Sequence, residues 1–178
     1  MKFVSTLSAL RRGLLGIVAV AALFSAALQP LPARAAALSD YLENKLIDHV
    51  FRGTAYTAPA TLYIALYTSS CNDAGGGTEA AWTSYARPSI TSNGTNWANT
   101  QSSGTGVSTG TSGTTSNSSA INWATPGSGP TTVTHWGVVD ASSGGNLLVC
   151  AALTASKTIN SGDAVSFAAG ALTVQIDN

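Results

Sequence analysis

Beyond Gly53 the apolar residues come in short runs of β-branched and aromatic side chains, separated by clusters of Gly, Asn, Asp and Ser. Val, Ile, Thr and aromatic residues favour strands, and the clusters between the runs are rich in turn-forming residues. This pattern is typical of antiparallel β proteins. Strands are therefore predicted at Ala60–Ser70, Thr132–Asp140, Asn146–Leu153, Ala164–Gly170 and Ala171–Asp177.

One segment ahead of these runs has helical periodicity instead. Apolar residues recur at every fourth position, at Leu42, Leu46 and Val50. Ile47 and Phe51 lie beside them on the same side of the helix. Ser39 is a good N-cap residue, and Gly53 can end the helix in the left-handed region. An amphipathic helix over about residues 39–52 is predicted, and its apolar stripe needs an apolar surface to cover.

Together the two patterns predict a mainly all-β protein with one N-terminal amphipathic α-helix. Strands at this spacing, with too few residues between them for crossover helices, favour a single β-sandwich or jelly-roll-like domain. Residues 36–178 are expected to form this domain, and the helix is expected to cover its open end or one face.

Residues 1–35 have the composition of a cleaved signal peptide. Basic residues precede an apolar run from Gly13 to Leu28, and the small residues Ala33 and Ala35 frame an expected cleavage after Ala35 or Ala37. The apolar run is shorter than the roughly 20 residues that span a bilayer. We therefore expect export through the inner membrane, no stable membrane anchor after cleavage, and a secreted or cell-surface location.

Cleavage would also change the charge of the chain. Four of the eight basic residues lie before the expected cleavage site, whereas all eight acidic residues follow it. The remaining chain is mildly acidic, with a formal charge of −4. Nucleic acid is not an expected partner, because no basic surface is present to neutralise a row of phosphates.

A segment rich in Ser, Thr and Gly, about residues 92–120, interrupts the strand pattern, and the chain has no charged residue from Pro88 to Val139. The segment is either a flexible loop or an extended β-arm. Trp97 and Trp123 bracket its polar centre. They are either packing residues at the root of the arm or exposed aromatics that bind a ligand such as a polysaccharide.

The chain has two cysteines, Cys71 after the first predicted strand and Cys150 within a later one. An oxidising compartment permits a bond between them, and a free exposed thiol is unfavourable there. A disulfide between Cys71 and Cys150 is therefore predicted. The alternative is a buried Cys150 and a loop thiol at Cys71.

Catalytic and metal-binding patterns are weak throughout the sequence. His135 and Asp140 are close along the chain, but an odd spacing places them on opposite faces of a strand. The histidines are far apart and the acidic residues are scattered singly over turns. No catalytic residue, metal site or cofactor is predicted, and the protein is expected not to be an enzyme.

Several motifs together resemble small virion proteins of tailed bacteriophages, of the tail-fibre or tail-tip type. They are the helix ending in "HVFRG", then "YIALYTS", "DAGGGTE", "VTHWGVVDA", "GGNLL" and "SGDAVSFAAGAL". The resemblance implies an all-β structural module that assembles with its own copies or with other virion or surface proteins. It carries no catalytic residues over to this chain.

The signal peptide and the resemblance lead to one main functional hypothesis. The chain is expected to be a non-enzymatic structural or assembly protein, exported as a surface or filament subunit and most simply a homo-oligomer. The alternative hypothesis is a secreted, adhesin-like module that binds a glycan or receptor through exposed aromatics and the polar arm.

Overall fold

The computed structural model describes residues 37–99, 106–109 and 113–176. In chain order the elements are β1 (Ala37–Leu38), α1 (Asp40–Phe51), β2 (Thr61–Tyr67), β3 (Ser89–Thr91), β4 (Thr114–Ser116), β5 (Ile121–Asn122), β6 (Thr131–Val139), β7 (Leu147–Ile159), β8 (Ser166–Phe167) and β9 (Thr173–Gln175). The described residues thus form a mainly β structure with one helix near the start, as predicted.

The strands form one large antiparallel sheet and two small ones. The large sheet has five strands in the order β1-β7-β6-β2-β3, and the small sheets are the pairs β4-β9 and β5-β8. Strands β6 and β7 make the longest pairing, with Trp136 opposite Ala151 and Gly137 opposite Cys150. Residues of both small sheets share one core with the large sheet, so the layers pack as a β-sandwich.

The two faces of the large sheet bury different residues. In β2, Ile64 and Leu66 belong to the main core, whereas the alternate residues Ala65 and Tyr67 belong to a smaller cluster on the opposite face. This alternation follows from the two-residue repeat of a strand. Trp136 is fully buried in the main core, and the centre of its ring lies 6.4 Å from that of Phe167.

The helix α1 begins and ends as its sequence predicts. Ser39 is the N-cap and accepts a hydrogen bond from the Leu42 N–H, while its own hydroxyl donates to the Leu147 carbonyl of β7. Beyond the helix, Gly53 has a φ of +70°. A glycine is favoured there because side chains rarely adopt that conformation.

The expectation that the whole apolar stripe of α1 covers the β domain is wrong. Leu42 packs against the main core, but Ile47, Val50 and Phe51 are 49%, 64% and 81% exposed. The helix is fixed to β7 at its start, where the Ser39 N–H donates to the Leu148 carbonyl at 2.9 Å. The exposed apolar side chains of its last two turns are Ile47, Val50 and Phe51, and we call the surface that they form the helix tip.

The described ends of the Ser/Thr-rich segment pair with each other and with a strand near the end of the chain. The Ala98 N–H donates to the Ser116 carbonyl at 2.8 Å, and β4 pairs with β9. Residues 100–105 and 110–112 lie outside the described part of the chain. The described flanks therefore form β structure, and both alternatives for the centre of the segment, a flexible loop and an extended β-arm, stay predictions.

A buried asparagine holds this segment to the C-terminal strands. Asn117 is 1% exposed, and its amide nitrogen donates to the carbonyls of Ser119 and Ala168, at 2.8 Å each. Its side-chain oxygen accepts from the Leu172 N–H at 2.9 Å. The bond to Leu172 is buried and the other two are part-buried, so the side chain fixes the chain directly after β4 against the segments around β8 and β9.

Candidate functional site

The Gly-rich loop, residues 71–79, folds back along the end of β2. The Thr68 N–H donates to the Thr78 carbonyl at 2.8 Å, and at the tip Asn72 and Gly75 exchange hydrogen bonds of 3.0 and 3.1 Å. A Cβ on Gly77 would lie 2.6 Å from the Ser69 carbonyl oxygen, which is closer than atoms can approach. The loop therefore needs glycine at this position to return so tightly.

A disulfide ties the Gly-rich loop to the large sheet. Cys71 and Cys150 are bonded, with their Cα atoms 6.3 Å apart and 79 positions apart in sequence. The bond lies beside the smaller cluster that contains Tyr67 and Leu147. The structure thus contains the disulfide that the cysteine content predicts.

A mostly buried ion pair lies at the end of the same loop. Arg87 donates to the two oxygens of Glu79 through Nε and Nη2, both at 2.7 Å, and the two side chains are 9% and 29% exposed. The Tyr85 hydroxyl donates to Glu79 Oε1 at 2.8 Å and accepts from the Leu66 N–H at 3.0 Å. The ion pair is thereby connected to the backbone of β2.

Arg87 also holds the turn between β6 and β7. Its Nη1 donates to the carbonyls of Ala141 and Gly144, both at 2.8 Å. Within that turn, the Asp140 carboxylate accepts from the Asn146 N–H and side-chain amide, at 2.6 and 2.7 Å. One guanidinium therefore joins the Gly-rich loop to a turn more than 50 residues away in sequence.

These contacts shift the pKa values of Glu79, Arg87 and Tyr85. Burial disfavours the charged carboxylate of Glu79, but the hydrogen bonds from Arg87 and Tyr85 outweigh it and lower the pKa of Glu79. The same hydrogen bond raises the pKa of Arg87. Burial, followed by the neighbouring Glu79, raises the pKa of Tyr85. Near neutral pH the pair is a fully charged salt bridge.

The lowered pKa of Glu79 predicts how stability depends on pH. The stabilisation is fully present above the ordinary pKa of 4.5 and is lost as the pH falls below 4.5 through the lower folded value. The difference in melting temperature between wild type and Glu79→Gln should therefore be large at pH 7 and shrink towards pH 3. A difference that stays constant over this range in thermal melts followed by circular dichroism would contradict the pairing.

A polar recess of about 410 Å³ opens between three of these elements. They are the Gly-rich loop, the turn of residues 140–146 and the start of α1, where the Asp40 N–H donates to the Asp73 carbonyl at 2.9 Å. Its charged lining residues are Asp40, Asp73, Glu79 and Arg87, and Tyr67 also borders it. We call this space the loop recess.

The two tryptophans singled out in the sequence lie elsewhere. Trp123 is 6% exposed and packs edge to face with Phe167, at 5.7 Å between ring centres. Trp97 is half-buried, packs against the main core and lines a second, more apolar recess of about 430 Å³. Both indole N–H groups are buried. The positions are those of packing residues, and the structure does not bring the two rings together on an exposed face.

Both histidines have hydrogen-bond partners close to them in sequence. His135 Nδ1 lies 2.8 Å from the Thr134 hydroxyl, and His49 Nδ1 accepts from the Tyr56 N–H at 3.1 Å. In the described ranges no three His, Cys, Asp or Glu side chains gather as metal ligands. Those ranges also contain no helix with the length and apolar character needed to cross a bilayer.

Sequence reasoning did not identify the ion pair or the loop recess. Glu79 ends the Gly-rich loop, and Arg87 is the last charged residue before the uncharged stretch. Only 9% of the residues in the chain are charged, so two isolated charges close to a glycine cluster were the one sequence feature that could have indicated an ion pair here. Their pairing depends on the return of the loop along β2, which spacing alone does not reveal.

A comparison with known families finds a match over most of the chain. A family model described as podophage GP4 fiber I protein gp80 matches residues 37–175, from the start of β1 to the end of β9. A search of curated proteins finds no match to the chain. The resemblance to phage fibre proteins is confirmed by the family match. Since the match covers the whole described fold, the chain belongs to the family of the podophage GP4 fiber I protein gp80.

Proposed function

We propose that this protein is a non-enzymatic assembly subunit of a fibre or surface filament. The observation that carries the proposal is the match of residues 37–175 to a phage fibre family. A fibre subunit acts by holding its neighbours, so it needs a rigid body and contact surfaces rather than a catalytic group. The buried ion pair, the disulfide and the asparagine network supply such rigidity.

The helix tip supports a contact with a second copy of the chain. Ile47, Val50 and Phe51 lie close together on one helix and are all about half exposed or more. Burying apolar surface contributes about 25 cal/mol per Å², so covering these side chains favours association. In the proposed assembly, the tips of neighbouring subunits are covered at their contact.

The test replaces two exposed apolar residues of the helix tip by serine and leaves the buried residues unchanged. The double variant Val50→Ser/Phe51→Ser should lower the mean oligomer size in light scattering, because it removes the most exposed apolar side chains of α1. Its melting temperature should stay within a few degrees of wild type, since exposed positions contribute little to folding. The matched control is Val107→Ser, at 86% exposure outside the helix, which should leave the oligomer unchanged. Equal oligomer sizes for wild type and the tip variant would contradict this contact.

We also propose that the subunit reaches its site of assembly by export and works outside the cell. Residues 1–35 support this through their basic start, apolar run and small-residue cleavage motif. When the full chain is expressed in a bacterium, the protein should be recovered from the periplasm or medium with Ala36 or Leu38 as its first residue. N-terminal sequencing or intact mass measures this directly. Full-length protein in the membrane fraction would contradict export with cleavage.

A further inference from the structure

Most of the strongly exposed apolar side chains lie on the helix tip or at the border of one recess. Within the described ranges, five large apolar side chains are about half exposed or more, and three of them form the helix tip. A fourth, Ile176, is 61% exposed and borders the recess beside Trp97, which we call the apolar recess. The fifth, Val107, does not line that recess. Single exposed apolar residues are normal, but a group of them marks an interaction surface.

The apolar recess has a volume of about 430 Å³ and lies beside the start of α1. Residues 92–94 are exposed at its border, and none of the described residues that line it is charged. Recesses of this kind accept the apolar face of an amphipathic helix. The apolar lining comes from several elements, among them Leu38 of β1, Leu42 of α1, Leu62 of β2 and Val174 of β9.

The helix tip matches the recess in charge. Asp48 and Arg52 are the charged residues next to the tip, and they bind each other at 2.9 Å. The end of the helix therefore carries an internally neutralised pair, and it can approach an uncharged recess without burying an unpaired charge. The described lining offers no opposite charge to a charged partner, which favours this neutral helix end as the occupant.

Polar groups beside the two surfaces also complement each other. A helix leaves its last carbonyls without partners, and those of Val50 and Phe51 accept no hydrogen bond from the described residues. Asn93, at the border of the recess, accepts from the N–H groups of Thr95 and Asn96 through its side-chain oxygen. Its amide nitrogen donates to none of the described residues. This donor can pair with the carbonyls at the end of a seated helix.

The tip of a chain cannot fill the apolar recess of the same chain. Leu42 lines the recess, and Phe51 is the last residue of the same helix. At a rise of 1.5 Å per residue, about 13 Å along the helix axis separate the Cα atoms of these two residues. The helix is continuous over this length, so it cannot fold back on itself. A tip can therefore enter the recess only from another copy of the chain.

We propose that the helix tip of one copy fits into the apolar recess of the next copy, in a head-to-tail contact. The inference rests on the proposed function as an assembly subunit and identifies what covers the tip. Tip and recess are different surfaces, so each copy that joins leaves one free tip and one free recess at the ends of the assembly. A repeated contact of this kind closes into a ring or continues as a filament.

The test mixes two variants that each lack one side of the contact. Val50→Ser/Phe51→Ser lacks the tip and keeps the recess. Ile176→Glu keeps the tip but adds a carboxylate beside a recess whose described lining has no cation, so self-association should weaken about tenfold or more. In light scattering, each variant alone should be smaller than wild type. Their equimolar mixture should form a one-to-one complex through the remaining intact tip and intact recess.

Gln175→Glu is the matched control for the charge. Gln175 is adjacent to Ile176 but does not line the recess, so the variant should assemble like wild type. A mixture that stays at the size of its components would overturn the inference, as would equal assembly of Ile176→Glu and Gln175→Glu. Loss of assembly in the tip variant alone would leave the proposed function intact and show that another surface covers the tip.

A photo-crosslink locates the contact without any change to the recess. Phe51→p-benzoylphenylalanine keeps an aromatic side chain at the tip, and this protein is mixed with ¹⁵N-labelled wild type before irradiation. Mass spectrometry should find residue 51 joined to residues 92–98, 106–108 or 174–176 of a labelled copy. Crosslinks only between two tips, only to other segments, or none at all in the assembled sample would overturn the inference.

Discussion

Removing the disulfide between Cys71 and Cys150 is expected to lower the free energy of unfolding by about 4 kcal/mol. The bond closes a loop of 79 positions, which restricts the unfolded chain far more than the folded one. In the folded protein it also holds the Gly-rich loop against β7. For a domain of this size the loss corresponds to a fall in melting temperature of roughly 10–15 °C.

The double variant Cys71→Ser/Cys150→Ser measures this effect in chemical denaturation and thermal melts. Wild type treated with a reductant is the matched control, since it should melt close to the variant. The amides of the Gly-rich loop should also exchange with solvent faster in the variant. If the oxidised wild type and the variant unfold at the same denaturant concentration, the disulfide is not a stabilising element.

Replacing Arg87 should give the second largest loss, about 3 kcal/mol for Arg87→Ala. The change leaves the partly buried Glu79 carboxylate without its cation and frees the carbonyls of Ala141 and Gly144. Removing one member of a buried pair costs more than the pair contributes, because an unpaired charge remains buried. Arg87→Lys should fall in between, since an ammonium cannot match both carboxylate oxygens.

The helix provides the control for this prediction. Arg52 pairs with Asp48 at 2.9 Å, but their side chains are 70% and 39% exposed. Solvent screens such a pair, so Arg52→Ala should cost about 0.5 kcal/mol or less. Denaturant unfolding of the two variants beside wild type compares the ion pairs directly. Equal losses would show that burial does not set the strength of the Arg87 pair.

Sequence patterns correctly predicted the features that are determined by residues close together in the chain. The N-cap at Ser39 and the left-handed Gly53 follow from residue type, and the strand at Thr61–Tyr67 follows from its β-branched and aromatic content. The turn after β6 lies between two predicted strands, in one of the clusters of turn-forming residues that separate the apolar runs. Each of these features is decided within a few residues of the chain.

Features that depend on distant partners were predicted less well. Strand β7 continues to Ile159, beyond the predicted end at Leu153, because its polar second half pairs with the start of β6. The short strand β4 lies within the uncharged segment and pairs with β9, near the end of the chain. Neither pairing has a local signal. The exposure of Phe51 was missed because periodicity shows an apolar face but not what covers it.

The candidate site shows the same division. The cysteine pair could be inferred because two cysteines allow only one intramolecular bond. The pairing of Glu79 with Arg87 could not, since it arises only when the Gly-rich loop returns along β2 and brings the chain back to the sheet. The position of Tyr67 at the loop recess is likewise a product of three separate segments meeting.

The central claim is that this member of a phage fibre family works by assembly. The most direct test is the mass of the purified, processed protein, measured by light scattering over a wide concentration range and checked by electron microscopy. We expect a defined oligomer or regular filaments, with the wild type larger than the Val50→Ser/Phe51→Ser variant. A protein that remains monomeric at every concentration would contradict the claim.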